Sequence, residues 1–308
     1  MATDDDRQEY GRAVAGRRLI WERRWSVLKL VSLTALVAAA LAITAATFVR
    51  QAELGDDTRR LLDDERSSEP GPESVSPPGA PLASSLFRLD RLGRTFTIAV
   101  IADSTGAAAE SWVVQVGRWI SETYDRPLTL HQWSVDESGY APTEVLTDGD
   151  NAPLEIWNGS APGQGPAYSE EHLAEMVPAD LRADLVFVSH GHHVDRGALV
   201  DELGPLVETV AVEQGNGTVV LFTQNPETLE GGRTREHADN LSEWQFWAES
   251  VGYPLVDIFA TFLAQPDWES LVDSTGIDPT LEGHQLWGDT VLEYLLAAKG
   301  PKGVRPSR

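Results

Sequence analysis

Short apolar segments alternate with longer amphipathic segments from about Thr95 to Ala298, and this alternation restricts the fold more than any other feature of the sequence. The short segments predicted to be strands are 97–102, 128–133, 154–157, 184–189, 218–223 and 254–258. The segments predicted to be helices, from apolar residues at three- and four-residue spacing, are 107–123, 196–212, 236–251 and 281–298. Such alternation indicates a mostly parallel sheet with helices on both faces. Because ligands bind at the carboxyl ends of the strands in such sheets, candidate functional residues should directly follow strands.

An uncharged apolar stretch over 30–49 is predicted to be a transmembrane helix, since about 20 helical residues cross ~30 Å of hydrocarbon. The preceding segment, 1–29, carries seven basic and five acidic side chains, and the positive-inside rule places it in the cytoplasm. A cleaved signal peptide is the alternative, but the long preceding segment and the long apolar run favour an uncleaved anchor. We therefore expect a single-pass plasma-membrane protein with an extracytoplasmic C-terminal domain.

The residues after this stretch divide into three parts. Residues 50–93 are rich in Asp, Glu, Ser, Pro and Gly, a composition typical of a disordered acidic linker. The chain of 308 residues is 42% hydrophobic, which suffices for one substantial α/β domain, and we assign that domain to 94–300. Residues 301–308 are predicted to be a C-terminal tail.

Composition excludes several classes of function. A formal net charge of -24 makes nucleic acid an unfavourable partner, because phosphate groups would be repelled. The chain has no cysteine, so disulfides, thiolate catalysis and cysteine zinc sites are excluded.

Ser104 follows the first predicted strand and leads into a helix. The unpaired N–H groups of a helix N-terminus stabilise negative charge, so a serine there is a candidate nucleophile. Asp103 and Ser104 are also ordinary N-cap residues, and a purely structural role stays open.

Two further polar segments follow strands. Asn158 and Gly163 lie in the first of them, where glycine density lets backbone N–H groups approach a ligand and Gly163 is a candidate oxyanion donor. His190, His192 and His193 lie in the second, and three histidines within four positions raise a metal hypothesis. Neighbouring strand residues point to opposite faces and no acidic ligand stands at motif spacing, so we expect no metal and no other cofactor.

These ordered blocks resemble the SGNH/GDSL hydrolase family over about two thirds of the chain. The resemblance rests on Asp103-Ser104 after a strand, on Asn158 five residues before Gly163, on a glycine block at Gly191, and on 275–279 before the last helix. It implies a three-layer α/β/α, flavodoxin-like fold and activity as an esterase, lipase, acyl-thioesterase or carbohydrate deacetylase. It also implies that Ser104 is the nucleophile and that the N–H groups of Ser104 and Gly163 hold the oxyanion.

The sequence departs from the family pattern at the acid–base positions. Thr275 stands where the family has its catalytic aspartate, Asp278 where it has its catalytic histidine, and His193 where it has an oxyanion asparagine. A serine needs a base within hydrogen-bond reach, and a carboxylate with a pKa near 4 is a weak one.

Two arrangements would restore an imidazole base. In one, His193 acts on Ser104 and is oriented by Asp278, which gives a rearranged Ser–His–Asp set. In the other, His284 on the opening turn of the last helix reaches back to the serine.

Two functional hypotheses follow. The first is an anchored serine hydrolase that acts on an ester-bearing small molecule, lipid or envelope polysaccharide. The second is a catalytically degenerate module that binds a ligand or partner through the same cleft. A metal site at the three histidines is a weaker third interpretation.

Overall fold

The computed structural model describes residues 79–300. No helix within this range is long and apolar enough to cross a membrane. The predicted cytoplasmic segment 1–29, the predicted transmembrane helix 30–49 and the predicted tail 301–308 lie outside the described residues.

The described residues form an eight-stranded, mostly parallel sheet. Its strands are β1 Phe96–Ala102, β2 Leu128–Ser134, β3 Gly139–Tyr140, β4 Glu144–Thr147, β5 Leu154–Ser160, β6 Leu185–Ser189, β7 Thr218–Phe222 and β8 Leu255–Val256. The order is β3-β2-β5-β1-β6-β7-β8, with β4 also pairing β2. β3 and β4 pair with β2 in antiparallel fashion, and all other pairs are parallel.

The flavodoxin-like prediction is met by five of these strands. Numbered in chain order, the set β5-β1-β6-β7-β8 has the order 2-1-3-4-5 that defines such folds. β2, β3 and β4 extend the sheet beyond β5. β3 and β4 were not predicted, because they are short and their side chains are half-buried or exposed, so they lack a clear apolar pattern.

Helices cover both faces of the sheet. They are α1 Leu82–Leu86, α2 Trp112–Tyr124, α3 Pro166–Glu171, α4 Leu173–Met176, α5 Leu199–Glu213, α6 Thr234–Val251, α7 Ile258–Leu263 and α8 Leu281–Lys299. Single 3₁₀ turns lie at Phe87–Asp90, Ser104–Gly106 and Trp268–Leu271.

Alternating residues of β1 supply two separate cores. Phe96, Ile98 and Val100 pack with α1, α2, α7 and α8, where the rings of Trp112 and Trp287 stack with centroids 5.4 Å apart. The intervening β1 residues pack with α4, α5 and α6 on the other face. Burial on both faces explains why β1 is a continuous apolar run, and it confirms the three-layer prediction.

The predicted linker, 50–93, extends too far toward the domain. Residues 82–90 are helical, and Leu86 and Leu89 are buried in the first core. The Pro- and Ser-rich composition of the surrounding segment hides these residues, because few large apolar side chains in this stretch carry the packing. The folded domain therefore includes α1, upstream of the predicted boundary at residue 94.

The predicted helix 107–123 begins later than expected, at Trp112. The chain after β1 first makes the 3₁₀ turn at Ser104–Gly106, and Ala108, Ala109 and Glu110 are exposed. Ser111 then precedes the helix in an extended conformation, as an N-cap residue does.

Candidate active site

Ser104 lies at the carboxyl end of β1, between β5 and β6, on the 3₁₀ turn that follows the strand. Asp103 caps this turn: its Oδ1 accepts hydrogen bonds from the Thr105 backbone N–H at 3.1 Å and from the Thr105 hydroxyl at 2.8 Å. The expected N-cap role therefore belongs to Asp103. The Ser104 side chain is left available for another partner.

That partner is Asp278. The Ser104 hydroxyl donates to Asp278 Oδ1 at 2.6 Å, across 174 residues of sequence. The contact brings the turn after β1 to the loop before α8, which is the juxtaposition that the resemblance predicted. It also places a carboxylate where the resemblance expects an imidazole.

Burial of the Asp278 carboxyl raises its pKa above the ordinary value, and the negative charge of Asp273 adds to this increase. The hydrogen bond from Ser104 and the nearby His193 ring act in the opposite direction and lower the pKa. A raised pKa makes Asp278 a stronger proton acceptor than an exposed aspartate.

Thr275 is not hydrogen bonded to Ser104 among the described residues. Its hydroxyl donates to Oδ1 of Asp273, and its Oγ1 accepts from the Ile277 backbone N–H at 3.3 Å. Thr275 therefore shapes the turn that presents Asp278. Asp273 supplies a carboxylate in this loop, two residues before position 275, where the family resemblance implies the catalytic aspartate.

His193 is exposed and adopts a left-handed backbone conformation, with φ of 60°. Its ring lies close enough to Asp278 to lower the pKa of that carboxyl. Within residues 79–300, however, neither His193 nitrogen is hydrogen bonded to Ser104. The rearranged Ser–His–Asp set is thus not assembled in this structure, although Ser104 and His193 both lie near Asp278.

His284 lies on the first turn of α8 and is buried, with an unpartnered Nδ1 within the described structure. Burial lowers its pKa to about 4, and the coulombic partner that opposes this shift is Asp273 rather than Asp278. No hydrogen bond joins His284 to Ser104 in the part of the chain that is described. The arrangement in which His284 reaches back to the serine is therefore not assembled here, and the role of His284 as a base stays a prediction.

The Asn158 side chain joins the end of β5 to the turn that carries Ser104. Its Nδ2 donates to the Gly106 carbonyl at 2.9 Å, and its Oδ1 accepts from the Ser160 hydroxyl at 2.6 Å. Gly163 follows with φ of 72°, and a Cβ placed there would meet no atom within 4 Å. Gly163 thus lies on an open, exposed turn beside the strand end, and its role as an oxyanion donor stays a prediction.

Two buried residues next to the site were missed by the sequence analysis. Asp103 is fully buried, and burial raises its pKa to about 7. The hydrogen bonds from Thr105 lower this pKa by a smaller amount, and the negative charge of Asp278 raises it. Gln224, directly after β7, donates to Ser189 Oγ at 3.0 Å and lies 3.2 Å from the Thr105 hydroxyl. Asp103 was assigned only a capping role, and no motif marked Gln224.

No protein-family model matches the chain, and no curated protein matches it.

Solved structures do resemble the described domain. A two-domain esterase active on acetylated mannans is 13% identical, with a TM-score of 0.52 over 76% of this chain and 58% of the esterase chain. A lipase/acylhydrolase from Enterococcus faecalis is 14% identical, with a TM-score of 0.49 over 69% of this chain and 99% of its own. A member of the lipolytic G-D-S-L family from Veillonella parvula is 14% identical, with a TM-score of 0.44 over 65% and 97%.

At these sequence identities the likeness concerns the fold, and of these three structures the mannan esterase has the highest TM-score. In the chain itself, the strand order and the two helical layers form a three-layer α/β fold, and Ser104 meets the loop before α8. The described part of the chain therefore has the three-layer α/β fold of the SGNH/GDSL hydrolases, the family that its sequence resembles.

Proposed function

We propose that the protein is a membrane-anchored ester hydrolase that uses Ser104 as nucleophile and Asp278 as the acid–base partner. The observation that carries this proposal is the 2.6 Å hydrogen bond from the Ser104 hydroxyl to Asp278 Oδ1. A general base must lie within hydrogen-bond reach of the proton that it removes, and Asp278 meets this condition.

In the first half of the reaction, Ser104 Oγ attacks the ester carbonyl carbon while its proton passes to the Asp278 carboxylate. The tetrahedral intermediate collapses, the alkoxide leaving group takes the proton from Asp278, and an acyl-Ser104 ester remains. In the second half, Asp278 removes a proton from water, the hydroxide attacks the acyl carbon, and Ser104 Oγ regains the proton. The products are one alcohol and one carboxylic acid.

The oxyanion would be held by the backbone N–H of Ser104 and by the N–H of Gly163. His193, at the position of the family's oxyanion asparagine, is exposed and near Asp278, so its ring can add a third donor. Each such donor is worth about 10²–10³ in rate where it has been removed from other hydrolases.

A carboxylate is a weaker base than an imidazole, and this limits the expected rate. General acid–base catalysis contributes about 10²–10⁴-fold when the pKa of the base lies near the working pH. Because its pKa is raised, Asp278 provides part of this rate enhancement, but not all of it. Slow turnover is therefore expected.

The substrate class is an ester-bearing small molecule, a lipid or an envelope polysaccharide. The structurally similar esterase acts on acetylated mannans, which makes acetylated polysaccharides a rational first substrate to test. The loop beside Ser104 carries Asp273 and Asp278 within a chain of net charge -24, so uncharged esters are favoured over anionic ones.

Labelling with an active-site-directed fluorophosphonate tests the nucleophile. We expect covalent labelling of the full chain, loss of labelling in Ser104→Ala, and retention in the control Ser270→Ala, whose exposed hydroxyl only bonds the Asp267 carbonyl. Labelling that persists in Ser104→Ala would refute the assignment.

A binding module is the second candidate function. It is favoured by one observation: within residues 79–300, no imidazole nitrogen is hydrogen bonded to the Ser104 hydroxyl. This alternative predicts no labelling by the fluorophosphonate. It also predicts that an acetylated oligosaccharide binds the wild-type chain and Ser104→Ala with equal affinity.

The anchor is proposed from the sequence alone, from the apolar stretch 30–49 and the basic residues before it. We expect the full chain to remain in the membrane pellet after an alkaline carbonate wash, and a chain that starts at residue 50 to be released. Protease added to intact cells or right-side-out vesicles should degrade the C-terminal domain. Protection of that domain would contradict the proposed orientation.

A further inference from the structure

A second cluster of polar side chains lies behind the candidate active site. It consists of His192 after β6, Glu227 in the loop after β7, and His237 on α6, and all three are buried. The mechanism proposed above uses none of these side chains.

One possible ligand atom from each residue lies close to those of the other two. His192 Nδ1 lies 3.1 Å from Glu227 Oε1, and His237 Nδ1 lies 3.9 Å from the same oxygen. The ligand atoms of the three residues all lie within 4.8 Å of one another. Ligands of a tetrahedral zinc ion with bonds of about 2.0–2.1 Å are roughly 3.3 Å apart, so these separations bracket the expected one.

The other nitrogen of each ring faces Asn225. His192 Nε2 lies 3.4 Å from Asn225 Oδ1, and His237 Nε2 lies 2.9 Å from the Asn225 carbonyl. The amide orientation is fixed, because Asn225 Nδ2 donates to the carbonyls of Pro226 and Ile277. Histidine ligands of metal ions commonly donate their second N–H to such an oxygen.

The two imidazole rings carry too few N–H groups for the oxygen acceptors around them. All four ring nitrogens face oxygen acceptors: Glu227 Oε1, Asn225 Oδ1, Asn225 O and, 3.2 Å from His237 Nδ1, the Gly191 carbonyl. Two neutral imidazoles bring only two N–H groups. Protonating both would put two positive charges on buried rings that stack 4.3 Å apart, against one carboxylate.

We propose that His192, Glu227 and His237 bind one divalent transition-metal ion, with zinc as the ion that the donor set fits. The ring that keeps its orientation donates its Nε2–H to Asn225, and Nδ1 of each ring and Glu227 Oε1 bind the cation once the other ring has turned. Two histidines and one carboxylate form a recognised zinc ligand set, and a cation satisfies the Glu227 oxygen that the missing protons leave unmatched.

Coordination requires one ring to turn. The two imidazole planes are only 11° apart, and a metal ion must lie near the plane of each ring that binds it. Glu227 belongs to the stretch between β7 and α6, which is neither helix nor strand. The Gly191 carbonyl, beside His237 Nδ1, is available as a fourth ligand.

The cluster is connected to the candidate active site through the backbone. His192 precedes His193, and Asn225 holds the Ile277 carbonyl, one residue before Asp278. A bound ion would therefore make the loops around Ser104 more rigid, yet its binding does not depend on whether Ser104 is a nucleophile.

Metal content and thermal stability test the proposal. The full chain, purified in detergent, is stripped with a chelator, incubated with one or more equivalents of ZnCl₂ or CoCl₂, and desalted. We expect close to one equivalent of bound ion by mass spectrometry, a visible d–d absorption band with Co²⁺, and a higher midpoint of thermal unfolding. Less than a tenth of an equivalent, with an unchanged midpoint, would overturn the proposal.

Variants separate this cluster from chance binding at other histidines. Glu227→Gln and His237→Gln should each lower the bound zinc at least tenfold, whereas the control His131→Gln, which alters a half-buried ring stacked on Trp157, should not. Equal zinc binding by all variants would assign the ion elsewhere. If the cluster variants fail to fold, X-ray absorption of the zinc-loaded wild type decides: the proposal requires two imidazole ligands, and a spectrum without imidazole scattering refutes it.

Discussion

The Ser104 hydroxyl donates a 2.6 Å hydrogen bond to Asp278, the residue that stands at the family's catalytic histidine position. A substitution at that position could have turned the loop away from the serine, but the loop is intact and the exchanged side chain still meets Ser104. The geometry of an acid–base pair is therefore kept while its chemistry is changed. Asp278 rather than His193 or His284 becomes the residue on which activity should depend.

Replacing the carboxylate by an amide is the first test of that dependence. Asp278→Asn can accept the hydrogen bond from Ser104 but cannot take its proton, so we expect kcat/KM for p-nitrophenyl acetate to fall by about 10²–10⁴-fold. Asp267→Asn, which changes an exposed carboxylate in the loop before the last 3₁₀ turn, should leave kcat/KM unchanged. Comparable activity of Asp278→Asn and wild type would show that another group is the base.

Restoring an imidazole should raise activity. Asp278→His places a stronger base where Asp278 now meets Ser104, and we expect kcat/KM at neutral pH to increase by about tenfold or more. Adding Thr275→Asp supplies a carboxylate three residues earlier, and a further increase is expected because it orients the imidazole.

The matched control for this pair is Thr275→Asp alone, which adds the carboxylate without the base. It should not exceed the wild-type rate. If Asp278→His folds, as judged by circular dichroism, and shows no gain, then the cleft has lost more than its base and the binding-module hypothesis is favoured.

The sequence predicted the positions of the site residues better than their chemical roles. Ser104, Asn158 and Asp278 could be placed because each follows a strand or precedes a helix whose hydrophobic pattern is clear, and strand ends converge at one edge of the sheet. The base roles of His193 and His284 stay predictions, because neither ring is hydrogen bonded to Ser104 within residues 79–300 and ring direction depends on local backbone geometry. His193 has a positive φ, and His284 is buried on the first turn of α8, and neither property is visible in a pattern of residue types.

The His192 cluster could not have been found in the same way. The sequence drew attention to three neighbouring histidines, yet the structure sends them to different places: His190 bonds Ser169, and His193 is exposed. The partners of His192 come from the loop after β7 and from α6, 35 and 45 positions further along the chain. Spacing in sequence carries no signal for a set assembled by sheet order.

The pKa of Asp278 predicts how activity depends on pH. The carboxyl must be ionised to accept the serine proton, and its pKa is raised by burial and by Asp273, against the lowering effects of Ser104 and His193. The rate should therefore rise with pH through a midpoint above the ordinary 3.8 and stay high through neutrality. A pH–kcat/KM profile checks this, and Asp273→Asn should move the midpoint toward acid.

The same shift has a consequence for stability. Because the folded state holds the Asp278 proton more tightly than the unfolded state does, the contribution of this group to the free energy of unfolding falls as pH rises from 3.8 through the raised pKa. Asp278→Asn removes that contribution, so urea unfolding of this variant should be less pH-dependent than that of wild type. An unchanged pH dependence would show that the pKa is not raised in the folded state.

Gly106 holds the nucleophile turn against β5. A Cβ at this position would lie 2.2 Å from Ser160 Oγ, whose hydroxyl is already bonded to Asn158. We expect Gly106→Ala to cost about 1–3 kcal/mol in the free energy of unfolding, because the crowded hydroxyl must move. Gly93→Ala is the control, since its Cβ meets no atom within 4 Å and the effect should stay below about 0.5 kcal/mol.

The position of α1 inside the domain gives the last prediction. Asp184 is fully buried and is bonded by Arg88 at 2.9 Å and by Arg94 at 2.8 Å. A chain that starts at residue 94 loses Arg88 together with Leu86 and Leu89. The two leucines alone contribute roughly 3–6 kcal/mol, and Asp184 keeps a single cation, one that then stands at the chain terminus.

A chain that starts at residue 79 retains these contacts, and it should unfold cooperatively in urea with a clearly higher midpoint than the shorter chain. Arg88→Met within the longer chain separates the two causes. It keeps the leucines and removes one cation from a buried carboxylate, which should cost about 1–3 kcal/mol. Equal unfolding midpoints for the chains starting at 79 and 94 would show that residues 82–90 belong to the linker, because packing that contributes nothing to stability does not define a domain boundary.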